Sequence, residues 1–130
     1  MLVIVEWEGR SVAGKDKPEP MRLPGGDRAI VAPAKLTEYL LSDTHPVGRS
    51  KAHVFRSVGF TMSNADQLER GLLLLARSEE VVSSDSGSHG MKYVVDGQLT
   101  TPSGNTLRLR TVWIIEPGVD VPRLVTAYPH

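Results

Sequence analysis

The sequence contains no cysteine, carries no net charge and has no long apolar run. The missing cysteines exclude disulfides, thiolate zinc sites and cysteine nucleophiles. Fifteen basic residues balance fifteen acidic ones, which excludes a strongly basic nucleic-acid coat but not a local basic site. No apolar run exceeds five residues, whereas a membrane helix needs about 20. No basic region precedes the N-terminal apolar stretch and Glu6 interrupts it, so we expect no secretory signal, no membrane association and a cytoplasmic protein.

The 130 residues, 40% of them hydrophobic, are enough for one folded domain. Residues 14–24 are polar and broken by prolines, which is typical of a flexible linker. We therefore divide the chain into an N-terminal extension, residues 1–26, with a possible strand at residues 2–7, and one domain, residues 27–130.

Apolar periodicity predicts three helices in the first part of this domain. The first covers residues 33–41, with Pro33 at its first position. The second begins near residue 50 and stops at Gly59, and the third runs from a capping box of Ser63 and Asp66 to about residue 80. Residues 83–90 are rich in serine and glycine, which predicts a flexible connector.

From Met91 onward the apolar period changes to two. This pattern predicts strands at residues 92–101, 106–116 and 122–129, joined by two tight turns. The fold class is therefore α+β, with N-terminal helices packed on one face of a three- to four-stranded antiparallel sheet.

The turns set which side chains share the outer face of this sheet. Pairing residues 116 and 122 across the last turn places Thr126 opposite Val112 and Tyr128 opposite Arg110. Pairing residues 101 and 106 across the first turn places residue 97, a glycine, opposite Arg110. Alternation within the strands then brings five polar side chains to one face: Tyr93, Arg108, Arg110, Thr126 and Tyr128.

Two groups of residues are suited to bind phosphate: the arginines on this sheet face and a loop that precedes the second helix. Arginines on the sheet face bind phosphate in a bidentate manner, although a solvated outer face explains them equally well. The loop of residues 45–51 supplies His45 for proton exchange and Lys51 for charge, beside the start of a helix; the alternative is an exposed loop histidine. The four histidines lack the spacing of a zinc site, and no serine has the setting of a catalytic triad, so we expect neither metal nor cofactor.

Motifs in two halves of the chain resemble a known family. The first half reads Lys35-Leu36-Thr37-x-Tyr39-Leu40-Leu41, His45-Pro46-x-Gly48-x-x-Lys51-Ala52-x-x-Phe55 and Gly59-Phe60. The second half reads Tyr93-x-Val95-x-Gly97-x-Leu99-Thr100-x-Pro102-x-Gly104, Arg110-Thr111-x-Trp113-Ile114 and Pro122-Arg123-Leu124-Val125-Thr126. Over residues 29–129 the chain resembles a bacterial domain family of unknown function, found alone beside antitoxin-like genes and as the C-terminal toxin module of polymorphic toxins.

The resemblance implies a site and a reaction. The family is similar in layout to the barnase–EndoU–colicin–RelE group of metal-independent ribonucleases, and its polar positions fall on His45, Lys51, Arg110, Thr111 and Thr126. By strand alternation Thr111 faces the helices, so its hydroxyl is either buried and satisfied or at the edge of the cleft. The implied function is an RNA-cleaving toxin, in which the catalytic residues are His45, Lys51, Arg110 and Thr126. The outer face of the sheet adds Tyr93, Arg108 and Tyr128, which together with Thr111 are the candidate substrate-binding residues.

The implied partners are RNA and a cognate antitoxin or immunity protein. Two alternatives remain open: a non-enzymatic module that binds a protein through an open strand edge, and an enzyme of another class that acts on a nucleotide or small phosphate.

Overall fold

A computed structural model describes the fold of residues 21–42, 44–45 and 49–130; of Arg49 and Ser50 it describes the backbone. The predicted strand at residues 2–7, most of the linker and residues 46–48 of the candidate loop lie outside these residues. Within the described part, no helix combines the length and the apolar character that a membrane span requires.

Three helices precede the strands in the described chain. Helix α1 consists of an α-helical turn, Pro33–Lys35, continued by a π-helical turn, Leu36–Leu40. Helix α2 is Arg49–Ser57 and helix α3 is Ala65–Ser78. Short 3₁₀ turns at Gly26–Arg28 and Met62–Asn64 precede α1 and α3. All three predicted helices are thus present, with ends that differ by a few residues.

The capping box before α3 uses other residues than predicted. The backbone N–H of Thr61 donates to the side chain of Asn64 at 2.7 Å, and the Thr61 side chain accepts from the Asn64 backbone. The predicted box of Ser63 and Asp66 is therefore wrong. Asp66 instead accepts a hydrogen bond of 2.8 Å from Arg70, one turn later in the helix. Because the capping box begins at Thr61, the helical segment starts two residues earlier than predicted, with a 3₁₀ turn.

Four antiparallel strands form one sheet in the order β1-β2-β3-β4. Strand β1 is Val81–Gly87, β2 is Gly90–Thr100, β3 is Thr106–Ile115 and β4 is Arg123–Pro129. The described chain is therefore an α+β fold, with its helices N-terminal to a four-stranded antiparallel sheet.

Strand β1 occupies most of the segment predicted to be a flexible connector, so that prediction was wrong. Its residues pair with β2 across a two-residue turn, from Gly87 opposite Gly90 to Val81 opposite Val95. Six of its seven residues are exposed. Strand β1 is the first strand in the sheet order and so forms an edge of the sheet, where polar side chains such as its serines stay solvated. The serine-rich composition therefore marks an edge strand here.

The first hairpin is offset by one residue from the predicted register. Thr106 pairs with Thr100, where the sequence predicted Thr101. Thr101 belongs to the turn instead, because its N–H and its hydroxyl both donate to the carbonyl of Asn105 at 2.9 Å. A turn one residue longer than predicted shifts the whole of β2.

This offset changes which β2 side chains share the face of Arg110. Asp96, not Gly97, lies opposite Arg110, and Tyr93 lies opposite Trp113. Tyr93 is 8% exposed and belongs to the core cluster. Tyr93 therefore does not lie on the sheet face of Arg110, where the predicted register placed it.

The second hairpin has the predicted register beside the candidate site. Thr126 lies opposite Val112 and Tyr128 opposite Arg110. The register shifts between Val112 and Trp113, toward the turn. A bulge at that point leaves the pairs of Thr126 with Val112 and of Tyr128 with Arg110 unchanged.

One buried cluster joins the helices to the sheet. It contains Phe55, Leu68, Leu72, Leu109 and Trp113, with Ile115 partly buried against it. Leu23 also belongs to it. At Gly97 the third helix approaches the sheet so closely that an added Cβ would lie 2.4 Å from Leu75 Cδ2.

Candidate functional site

Tyr39 connects the first helix to the last strand. It lies in the π-helical turn of α1, where the Leu41 N–H donates to the Leu36 carbonyl at 2.8 Å. Single π-helical turns within α-helices are frequent at functional sites. Here the Tyr39 hydroxyl shares a hydrogen bond of 3.2 Å with Thr126 Oγ1 of β4.

Two lysines lie beside the ring of Tyr39. Lys35 Nζ is 4.9 Å and Lys51 Nζ 5.5 Å from the ring centroid, within the range of cation–π contact. Partial burial raises the pKa of Tyr39, but hydrogen bonds with Thr126 and Lys51 and the charges of both lysines outweigh burial and lower this pKa below its ordinary value. The surroundings of the ring therefore favour negative charge on its oxygen.

His45 contacts the same ring from the loop that follows α1. The rings of Tyr39 and His45 meet edge to face, with centroids 5.0 Å apart and planes at 88°. We call Lys35, Tyr39, His45, Lys51 and Thr126 the Tyr39 cluster. Three of the four predicted catalytic residues thus contact one side chain, although two of them lie on or near the helices and the third on β4.

Two grooves border the Tyr39 cluster. The first, of about 510 Å³, is lined by Lys51, Val54, Tyr128 and Pro129. The second, of about 450 Å³, has His45 in its wall together with Thr37, Glu38, Ser42, Thr44 and Met62. His45 and Lys51 therefore line different grooves, and Tyr39 contacts both residues.

Arg110, the fourth predicted catalytic residue, is held by an acidic partner. Its Nε and Nη2 donate to the two carboxylate oxygens of Asp96, both at 2.9 Å, and the Asp96 side chain is only 8% exposed. His130 Nε2 lies 3.3 Å from Arg110 Nη2 and 3.4 Å from Asp96 Oδ2. The hydrogen bonds from Arg110 lower the pKa of Asp96 despite its burial, and the same contacts raise the pKa of Arg110.

The predicted substrate-binding residues separate into two pairs. Tyr128 lines the first groove and Arg108 is exposed on the face of Arg110, opposite Gln98. Tyr93 and Thr111 are buried on the other side of the sheet.

Thr111 is fully buried, and its hydroxyl is satisfied within the core. The hydroxyl donates to the Val95 carbonyl at 2.6 Å and accepts from Trp113 Nε1 at 2.8 Å. Of the two alternatives for Thr111, the structure has the buried, satisfied hydroxyl and not the cleft edge.

Sequence reasoning missed four residues near these sites. Lys35 and Tyr39 occur in the first predicted helix and in the family motifs, but no pattern in the sequence assigned either residue to the site. Asp96 was missed because the predicted register put a glycine opposite Arg110, and His130 because it lies at the end of the sequence. The correct register of the first hairpin would have identified Asp96.

The charged residues of the described chain, residues 21–42, 44–45 and 49–130, include no group of three or more histidine, aspartate or glutamate side chains placed to hold a metal ion.

The fold and the Tyr39 cluster define an α+β domain with basic and hydroxyl side chains grouped beside its last strand. Residues 22–130 match the domain of unknown function DUF6883, and the chain belongs to this family. The motifs had predicted membership of a family of unknown function.

The fold is similar to a chain of a contact-dependent growth inhibition toxin–immunity protein complex from Klebsiella pneumoniae 342. The TM-score is 0.63 at 15% sequence identity, over 81% of this chain and 96% of that chain. A likeness at this identity shows the fold alone. A comparison with curated proteins gives no match.

Proposed function

We propose that this domain is a toxin module that cleaves RNA through attack of a ribose 2′-hydroxyl on the adjacent phosphate. The observation that carries the proposal is the convergence of His45, Lys51 and Thr126 on Tyr39. Cleavage of this kind needs a proton acceptor, a proton donor and positive charge near one phosphate. The Tyr39 cluster contains each of these groups.

Each residue has a role that its position supports. His45 exchanges a proton with the reacting oxygens, since imidazole titrates near neutral pH. Lys51 stabilises the charge that develops on the phosphate, and Thr126 positions a phosphate oxygen. Tyr128 lines the adjoining groove and contacts a base, as aromatic side chains do in single-stranded RNA recognition.

Arg110 contributes a second positive group on the same sheet face. A guanidinium has five N–H donors, and Asp96 takes two of them. Arg110 therefore binds a phosphate oxygen while it keeps Asp96, which fixes the orientation of its side chain. Arg108 extends this positive face along β3 and binds the RNA backbone.

The toxin assignment is supported by the structural neighbour, which comes from a complex of a toxin and an immunity protein. A cognate immunity protein or antitoxin is accordingly the expected protein partner of this domain. RNA as substrate places its action in the cytoplasm. The reaction uses the protein's own side chains and no metal ion.

The test is incubation of the purified protein with total RNA, with and without EDTA, followed by analysis of the product ends. Cyclic phosphate and free 5′-hydroxyl ends, formed equally in EDTA, are expected. Lys51→Ala and Arg110→Ala should each lower the rate about 10²–10³-fold and relieve growth inhibition in bacteria that express the protein alone. Lys92→Ala is the matched control, because Lys92 is exposed on β2 away from the cluster. RNA that stays intact with the wild-type protein would overturn the proposal.

A non-enzymatic interaction module is the second candidate. It is favoured by the ion pair of Arg110, whose charge Asp96 already balances, and by the neighbour's origin in a protein–protein complex. This candidate predicts intact RNA in the same assay.

A further inference from the structure

Tyr39 is the residue that every other member of the Tyr39 cluster contacts. Its hydroxyl is hydrogen-bonded to Thr126, and its ring meets the His45 ring edge to face. The ammonium groups of Lys35 and Lys51 lie within 5.5 Å of its ring centroid. A tyrosine used only for packing needs no such set of polar neighbours. The roles assigned so far leave its hydroxyl unused.

The charged groups around Tyr39 come from three elements. Lys35 belongs to α1, His45 to the following loop and Lys51 to α2, while β4 contributes the uncharged Thr126. No carboxylate lies among these contacts of the ring in the described residues. Positive neighbours stabilise a phenolate more than a phenol, so they make the hydroxyl a better proton donor.

We propose that Tyr39 is a catalytic residue, the general acid that protonates the departing 5′-oxygen during RNA cleavage. The inference rests on the proposed function. It divides the two proton transfers between two residues that touch, since His45 then serves as the base. Lys35 enters the site through this step, as a group that stabilises the phenolate.

The cleavage step moves two protons, one to His45 and one from Tyr39. The 2′-oxygen forms a bond to phosphorus while the bond from phosphorus to the 5′-oxygen breaks. The proton of the 2′-hydroxyl passes to His45, and the proton of the Tyr39 hydroxyl passes to the 5′-oxygen. The phenolate that remains lies beside Lys35 and Lys51, and proton exchange with water restores both residues.

The experiment compares two substrates that differ in their leaving group. One is a uridylyl dinucleotide, whose 5′-alkoxide must be protonated as it leaves. The other is uridine 3′-(p-nitrophenyl phosphate), whose p-nitrophenolate leaves without a proton. Tyr39→Phe should lower the rate on the dinucleotide about 10²-fold or more, and should leave the rate on the p-nitrophenyl ester close to that of the wild type.

The matched control is Ser57→Ala, which removes a hydroxyl that donates to the Val54 carbonyl within α2. It should leave both rates unchanged. An equal loss on both substrates with Tyr39→Phe would make Tyr39 a positioning or structural residue and overturn the inference, and so would no loss on either. A wild-type protein that cleaves neither substrate would refute the proposed function itself.

A second measurement needs no catalysis. The near-ultraviolet absorbance of phenolate, followed with pH in the wild type and in Tyr39→Phe, isolates the titration of this one tyrosine. We expect the difference curve to have its midpoint below the ordinary value of 10.0. A midpoint at or above that value would contradict the role of the two lysines and overturn the inference.

Discussion

Replacement of Thr111 by valine tests whether this residue serves the core or the site. Valine keeps the shape of threonine but removes the hydroxyl, which is not a neutral exchange in a core. The hydroxyl is an acceptor for the Trp113 indole N–H and a donor to the Val95 carbonyl. The side chains of Thr111 and Trp113 are both fully buried, so water cannot replace either hydrogen bond.

The magnitude follows from these two hydrogen bonds. A buried N–H left without an acceptor costs about 1–3 kcal/mol, and a lost hydrogen bond about 1 kcal/mol. The methyl group that replaces the hydroxyl regains about 0.8 kcal/mol by burial. Thr111→Val should therefore lower the free energy of unfolding by about 1–3 kcal/mol, and activity per folded molecule should be unchanged.

Urea denaturation followed by circular dichroism measures this change, with Thr111→Ser as the variant that keeps the hydroxyl. A double-mutant cycle with Trp113→Phe isolates the indole contact, since phenylalanine has no N–H to leave unsatisfied. Thr111→Val should cost at least about 1 kcal/mol less in the Trp113→Phe background. Equal costs in both backgrounds would refute the stabilising contact between Thr111 and the Trp113 indole. A loss of activity without a loss of stability would show that Thr111 belongs to the functional site.

Two further predictions concern strand β2. The hydrogen bonds from Arg110 hold the pKa of Asp96 below 3.8, so the stabilisation from this carboxylate is present above that pH and is lost as the pH falls through the lower folded-state pKa. Asp96→Asn should flatten the decline of Tm between about pH 7 and about pH 2; an unchanged decline would show that the ion pair does not stabilise the fold. Gly97→Ala places a methyl group 2.4 Å from Leu75 Cδ2 and should cost about 1–3 kcal/mol in urea denaturation. Gly87→Ala, with its nearest atom 4.0 Å away, should cost clearly less, and equal costs would contradict the close approach of α3.

The sequence alone determined the order of helices and strands and one half of the site. Apolar periods of about 3.6 and 2 identified three helices and three strands, because burial of one face imposes those periods wherever the element lies. The second hairpin came out in the right register, which placed Thr126 and Tyr128 beside Val112 and Arg110. Local pattern and turn length were sufficient there.

Only the tertiary structure decided the rest, because it depends on which hydrogen-bonding groups meet, within the first turn as well as between residues distant in sequence. Thr101 joins the first turn through its bonds to Asn105, which shifts β2 and brings Asp96 to Arg110. The serine-rich segment becomes β1 because the backbone of β2 pairs with it, and its own side chains contribute little burial. The contact between Tyr39 and Thr126 joins residues 87 apart in sequence, and no periodic pattern records which polar groups meet over such a separation.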